Sequence, residues 1–143
     1  MRHFGVDDLP ELLEEQGVPC VSIYLPTDRT GVHNQRDQLK LKNLLKQAED
    51  KMIAGGTRST EAKYILEPAQ EVLRDGSLWR DLENGLALFM SRKMARRFTL
   101  SETTPELVVV TSRFHLKPLL AEVSNDTRFH VLSVSQNRVR FFE

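Results

Sequence analysis

The sequence has few of the features that identify several protein classes. A single cysteine, Cys20, cannot form an internal disulfide, so a reducing, cytoplasmic setting is expected. No apolar run approaches the ~20 residues of a membrane-spanning helix, and the N-terminus has no apolar signal core, so no membrane partner is expected. The 20 basic and 20 acidic side chains cancel, which excludes a generally basic nucleic-acid-binding domain. What remains, 143 residues of which 40% are hydrophobic and 28% charged, is typical of one globular domain.

The balanced total hides an uneven distribution of charge. The net charge is −5 over residues 1–28, +4 over 29–58, −3 over 59–83 and +4 over 84–143. The positive blocks contain two candidate nucleic-acid-binding clusters, the first with Arg29, Arg36 and Lys40, the second with Arg92, Lys93, Arg96 and Arg97. Long cationic side chains on exposed loops suit phosphate groups, although no exposed aromatic pair accompanies either cluster. Such charges are more often typical of solvated helix faces and protected strand edges, and both interpretations stay open.

Apolar periodicity predicts an α+β domain, with a mixed, largely antiparallel sheet packed with helices. We expect helices over residues 7–16, 35–53, 59–74 and 114–123. Strands are expected over 19–25, 86–90, 96–100 and 106–110, followed by two closing strands over 128–135 and 138–142. Pro68 should kink or interrupt its helix. The apolar strand 106–110 should be covered on both faces, and Trp79 should lodge against the core.

The residues that usually carry catalysis show no recognisable pattern. The four histidines, His3, His33, His115 and His130, have no metal-ligand spacing, and Cys20 is far from all of them in sequence. No strand precedes Gly55-Gly56 and no Gly-Lys-Ser/Thr follows it, as a phosphate loop would require. The two glycines are expected to end a helix. We therefore predict no catalytic residue, no metal and no cofactor, and a chain that is not an enzyme.

Three segments, in order, resemble a known family. They are Cys20-Val-Ser-Ile-Tyr-Leu-Pro-Thr27, Asn84-Gly-Leu-Ala-Leu-Phe89 and Arg113-Phe-His-Leu-Lys-Pro-Leu-Leu120. They resemble the N-terminal domain of archaeal and eukaryotic class-1 peptide-chain release factors. Leu107-Val-Val-Val110 and Ser135-Gln-Asn-Arg-Val-Arg140 look like the bacterial branch of that superfamily.

The resemblance implies a translation-related domain that docks on ribosomal RNA or another translation component. It also implies that residues 1–127 form the release-factor-like domain, and that 128–143 begin a following domain of a longer protein. The Asn-Ile-Lys-Ser tetrapeptide that reads stop codons and the Gly-Gly-Gln tip that triggers peptide release are both absent from the sequence. A non-catalytic domain that binds ribosome or RNA is thus the leading hypothesis.

Two alternatives remain open. The first is a protein-interaction scaffold with an exposed apolar patch around Leu39, Ile53 and Phe141-Phe142. The second, with least support, is a hydrolase or nuclease in which a histidine and carboxylates meet in a cleft.

Overall fold

The middle layer of the molecule is a four-stranded antiparallel sheet in the order β3-β2-β1-β4. The computed structural model describes residues 3–28, 30, 34–80 and 82–127. Its strands are β1 Cys20–Pro26, β2 Gly85–Met90, β3 Ala95–Leu100 and β4 Leu107–Thr111. Its α-helices are α1 Leu9–Glu14, α2 Asn34–Ala54, α3 Ser59–Arg74 and α4 Leu120–Thr127. The predicted α+β class is confirmed, and the predicted closing strands over 128–142 lie outside the described residues.

Both faces of the sheet are covered by helices, because alternate residues of each strand point to opposite faces. On one face Val21, Ile23 and Leu25 of β1 pack with the apolar stripes of α2 and α3. On the other face Tyr24 and its neighbours on β2 and β3 pack with the N-terminal segment and the residues after β4. The sheet is therefore the central layer of three, with a separate core on each side.

The polar side chains of Ser22 and Tyr24 on β1 are buried, and both form hydrogen bonds. Ser22 Oγ accepts the backbone N–H of His115 at 2.8 Å. Tyr24 Oη donates to the carbonyl of the same residue at 2.5 Å. Burial raises the pKa of Tyr24 far above its ordinary value. The two bonds attach the segment after β4 to the middle of the sheet.

The structure corrects three details of the predicted elements. Helix α3 continues through Pro68 without interruption; the carbonyl that loses its partner is that of Tyr64, a residue on the exposed side of the helix. Strand β4 touches both cores but lies at the edge of the sheet, so its residues are half-buried and not fully covered. The helix expected over 114–123 is a single 3₁₀ turn, Lys117–Leu119, followed by α4.

Other local expectations are confirmed. Trp79 is 1% exposed on a 3₁₀ turn, and its indole N–H donates to the carbonyl of Val72 at 2.8 Å. Gly56, at φ 103°, lies just past the end of α2.

A buried carboxylate joins α4 to the sheet and to the N-terminal segment. Glu122 is 1% exposed and accepts hydrogen bonds from Ser101 Oγ at 3.1 Å and from the backbone N–H of Glu102 at 2.5 Å. His3 Nε2 lies 3.1 Å from the same carboxylate and 3.5 Å from Glu83. Residue 3 also bridges to Thr99, so the N-terminal segment runs parallel beside the edge strand β3. One side chain thus connects three distant parts of the chain.

Replacing Glu122 with alanine should destabilise the fold, because the hydroxyl of Ser101 and the backbone N–H of Glu102 lose their shared acceptor. We expect a loss of about 2–4 kcal/mol in the free energy of unfolding, measured by urea denaturation. The matched control is Glu106→Ala, an exposed glutamate, which should change it by less than about 0.5 kcal/mol. Equal stability of the two variants would contradict this account of Glu122.

Replacing Tyr24 with phenylalanine should cost about 1–3 kcal/mol of unfolding free energy, because the carbonyl of His115 then loses its donor inside the core. Thermal and urea unfolding of the variant measure the loss. An unchanged stability would show that this hydrogen bond contributes nothing net.

Candidate nucleic-acid interface

The turn between β2 and β3 carries the second basic cluster, and two of its arginines are engaged within the fold. Arg92 donates through Nε and Nη2 to the carboxylate of Glu61 on α3, the Nη2 bond being 3.0 Å long. Its Nη1 donates to the carbonyl of Val18. Arg96 forms a two-bond pair with Glu11 of α1, at 2.8 and 2.6 Å. These arginines attach helices from opposite faces of the sheet to the hairpin.

The remaining two cations of the cluster lie in different parts of the hairpin. Lys93 and Arg97 are exposed and make no ion pair with a described residue. Lys93 lies in the hairpin turn, whereas Arg97 sits opposite Leu88 on the face covered by α3. Arg96 and Arg97 border a small groove of about 120 Å³ against α3, and Lys93 does not line it.

The first basic cluster lies at the start of α2, where it is mixed with carboxylates. Arg36 and Lys40 line an open depression of about 510 Å³ together with Asp28 and Asp37. Asp37 is 3% exposed and accepts the backbone N–H of Asp28 at 3.1 Å. Burial raises the pKa of Asp37, an effect opposed by that N–H, by Arg36 and by Lys40. Arg29, the third predicted residue of the cluster, lies outside the described residues.

The two clusters stand at opposite ends of the sheet. Pro26, at the end of β1 that leads toward Arg36, pairs with Gly85 at the start of β2. Val21, near the other end of β1, pairs with Met90 beside the hairpin turn. A seven-residue strand spans about 20 Å. The predicted donors therefore form two separate surfaces and not one continuous face.

The structure adds residues to the hairpin end that the sequence interpretation did not select. Arg58 and Tyr64 line an open groove of about 610 Å³ with Thr60 and Glu61, the last of which holds Arg92. Tyr64 is 74% exposed. Its helical spacing was the available signal, since it falls off the buried stripe of α3 formed by Ala62, Ile65, Leu66, Ala69 and Val72. We call Arg58, Tyr64, Arg92 and Lys93 the hairpin-end surface.

Among the described residues we find no arrangement typical of a catalytic or metal centre. No group of three His, Cys, Asp or Glu side chains in these ranges could hold a metal ion. Burial, with a contribution from Glu15, raises the pKa of the Cys20 thiol, which disfavours the nucleophilic thiolate. Ser101 and His3 both face the carboxylate of Glu122, so that carboxylate separates the hydroxyl from the imidazole that would have to act as its base.

The apolar residues predicted for a protein-binding patch do not meet. Leu39 and Ile53 are both exposed, at 58% and 44%. Fourteen residues apart on α2, they are separated by about 21 Å along the helix axis. Phe141-Phe142, the third part of that patch, lies outside the described residues. In those same ranges, no helix is both long and apolar enough to cross a membrane.

Comparison with known proteins shows the fold and no more. No family model matches the chain, and neither does any curated protein. A solved structure described only as an "Archaeal protein" superposes on 83% of this chain with a TM-score of 0.57 and 19% sequence identity. The chain covers 34% of that protein's length. This neighbour does not indicate the release-factor family.

The pairing between Glu61 and Arg92 has a measurable electrostatic consequence. The hydrogen bonds from Arg92 lower the pKa of the Glu61 carboxyl below its ordinary value. Because the folded-state pKa is lowered, the stabilisation from this pair is present above the unfolded-state pKa and is lost as the pH falls through the folded-state value. We expect Arg92→Gln to raise the pKa of Glu61 toward its ordinary value in a carboxyl ¹³C NMR titration.

The matched control for this titration is Arg96→Gln, which removes a guanidinium bonded to Glu11 and leaves Arg92 in place. It should leave the pKa of Glu61 unchanged. Identical Glu61 titrations in the wild type and in Arg92→Gln would refute the assigned pairing.

Proposed function

We propose that this chain is a non-catalytic RNA-binding domain of a translation-related, release-factor-like protein. In this proposal it contacts the ribosome, or another RNA, through the hairpin-end surface, without reading stop codons or releasing peptides. The translation link rests on the sequence resemblance. The choice of surface rests on one observation, that an exposed aromatic ring shares a groove with Arg58 beside the arginine-bearing hairpin turn.

The charges around this surface support its choice. The cations there include Arg113, which donates to the carbonyl of Leu13 at 3.2 Å and follows the β4 residue paired with Cys20. Two carboxylates are bonded into the same end of the sheet, Glu61 to Arg92 and Glu15 to Ser91 Oγ at 2.5 Å. The four cations Arg58, Arg92, Lys93 and Arg113 outnumber these two carboxylates, so this end of the sheet has an excess of positive charge. Such a local excess acts over a Debye length of about 8–10 Å, even on a chain whose net charge is zero.

The depression at Arg36 and Lys40 is the weaker candidate for phosphate binding. Asp28 and Asp37 line it alongside those two cations, so the charges there largely offset each other. The tight contact between Asp37 and the backbone of Asp28 gives the cluster a structural role at the junction of β1 and α2. We therefore assign RNA contact to the hairpin end.

Co-sedimentation of the chain with ribosomes at about 50 and 200 mM salt tests the proposal, because phosphate contacts release counterions and weaken steeply over that range. The variant Arg58→Gln/Lys93→Gln should bind more weakly. Its slope of log affinity against log salt concentration should be shallower by about 1.4–1.8, the share of two phosphate contacts.

The matched control is Lys42→Gln/Lys117→Gln, which removes two exposed cations from other surfaces. It should bind like the wild type. Binding that does not depend on salt, or that both double variants weaken equally, would count against the hairpin-end surface. Absence of ribosome binding at the lower salt concentration would refute the proposed function.

A further inference from the structure

The exposed ring of Tyr64 specifies the kind of RNA that fits the hairpin-end surface. At 74% it is the most exposed of the large apolar or aromatic side chains in the described ranges. Both neighbouring positions of the buried stripe, Ala62 and Ile65, face the core, so the helix directs this ring to solvent. An aromatic face open to solvent offers a platform on which a base can stack.

Resting on the function proposed above, we infer that Tyr64 stacks an unpaired base, so that the ligand of the hairpin-end surface is single-stranded RNA. Base faces within a duplex are covered by their neighbours, and only an unstacked base can lie on a protein side chain. The groove holding Tyr64 is shallow and lined by Arg58, Thr60 and Glu61. It has no walls to enclose a base edge, so stacking there is tolerant of sequence.

The cations lie beside this ring, toward the N-terminal end of α3, where they can contact the backbone next to such a base. Arg58 lies immediately before α3, six residues from Tyr64, and borders the same groove. Arg92 is fixed to Glu61, which lies one helical turn before Tyr64 on α3. Lys93 follows in the adjoining hairpin turn. A stacking ring beside phosphate donors is the combination used by proteins that bind single strands without reading their sequence.

Fluorescence anisotropy with a labelled, mixed-sequence oligoribonucleotide of about 10 nucleotides tests the inference. The same strand, annealed to its complement, supplies the duplex. We expect the wild type to prefer the single strand. Tyr64→Leu should weaken single-strand binding by roughly 5- to 150-fold, the range given by loss of one stacked base, and leave duplex binding unchanged. Tyr64→Phe retains the ring and should bind within about twofold of the wild type.

The possible outcomes separate this inference from the proposed function. If Tyr64→Leu binds the single strand as well as the wild type while Arg58→Gln/Lys93→Gln binds it weakly, the surface binds RNA but the stacking inference is wrong. Equal affinity of the wild type for single strand and duplex overturns it as well. If neither RNA binds at about 50 mM salt while the chain still co-sediments with ribosomes, the stacking inference is wrong and the proposed function stands; if the ribosomes are not bound either, both fail. Circular dichroism of the Tyr64 variants verifies that substitution at this exposed position leaves the fold intact.

Discussion

Burial of β1 on both faces is the constraint from which the architecture follows. Every residue from Cys20 to Leu25 has no measurable exposure, and β1 pairs with β2 on one side and β4 on the other. Apolar residues suffice for the face toward α2 and α3. On the opposite face, Ser22 and Tyr24 carry polar groups that need partners inside the core, and the backbone of His115 supplies them. The central strand therefore positions the segment after β4 as well as its two neighbouring strands.

The length of β1 also separates the charged surfaces. Because its ends are about 20 Å apart, the basic residues near Pro26 and those near the β2–β3 turn have different neighbours. At the first end the cations lie beside Asp28 and Asp37. At the second, arginines link the hairpin to α1 and α3, the α2–α3 turn contributes Arg58, and α3 contributes Tyr64. Summing charge by sequence block obscures this difference, because a block such as 29–58 contains Arg36 at one end of the sheet and Arg58 at the other.

Sequence patterns predicted the features that depend on residues close together in sequence. They failed where the residues in contact are distant in sequence. The helix over residues 59–74, the turn at Gly55-Gly56 and the burial of Trp79 follow from helical periodicity, backbone freedom and side-chain size, and all three are confirmed. The edge position of β4 depends on which strands pair with β1, and nothing within residues 106–110 encodes that order. The contact of His3 with Glu122 joins residues from the two ends of the described chain, so no spacing rule could have found it. Tyr64 is an intermediate case: its exposure was readable from periodicity, but its proximity to Arg92 through Glu61 was not.

The engagement of Arg92 within the fold is compatible with a role in binding. A guanidinium has five N–H donors, and the bonds to Glu61 and to the carbonyl of Val18 use one on each of its three nitrogens. These three bonds leave a second N–H on Nη1 and on Nη2. A phosphate can therefore approach Arg92 without displacing Glu61, and the ion pair holds the guanidinium in position so that little side-chain entropy remains to be lost on binding. The same carboxylate lowers the net positive charge of the surface. In the proposed complex we therefore expect Arg58 and Lys93, which form no ion pair with a described residue, to supply most of the attraction, and Arg92 to supply a fixed geometry.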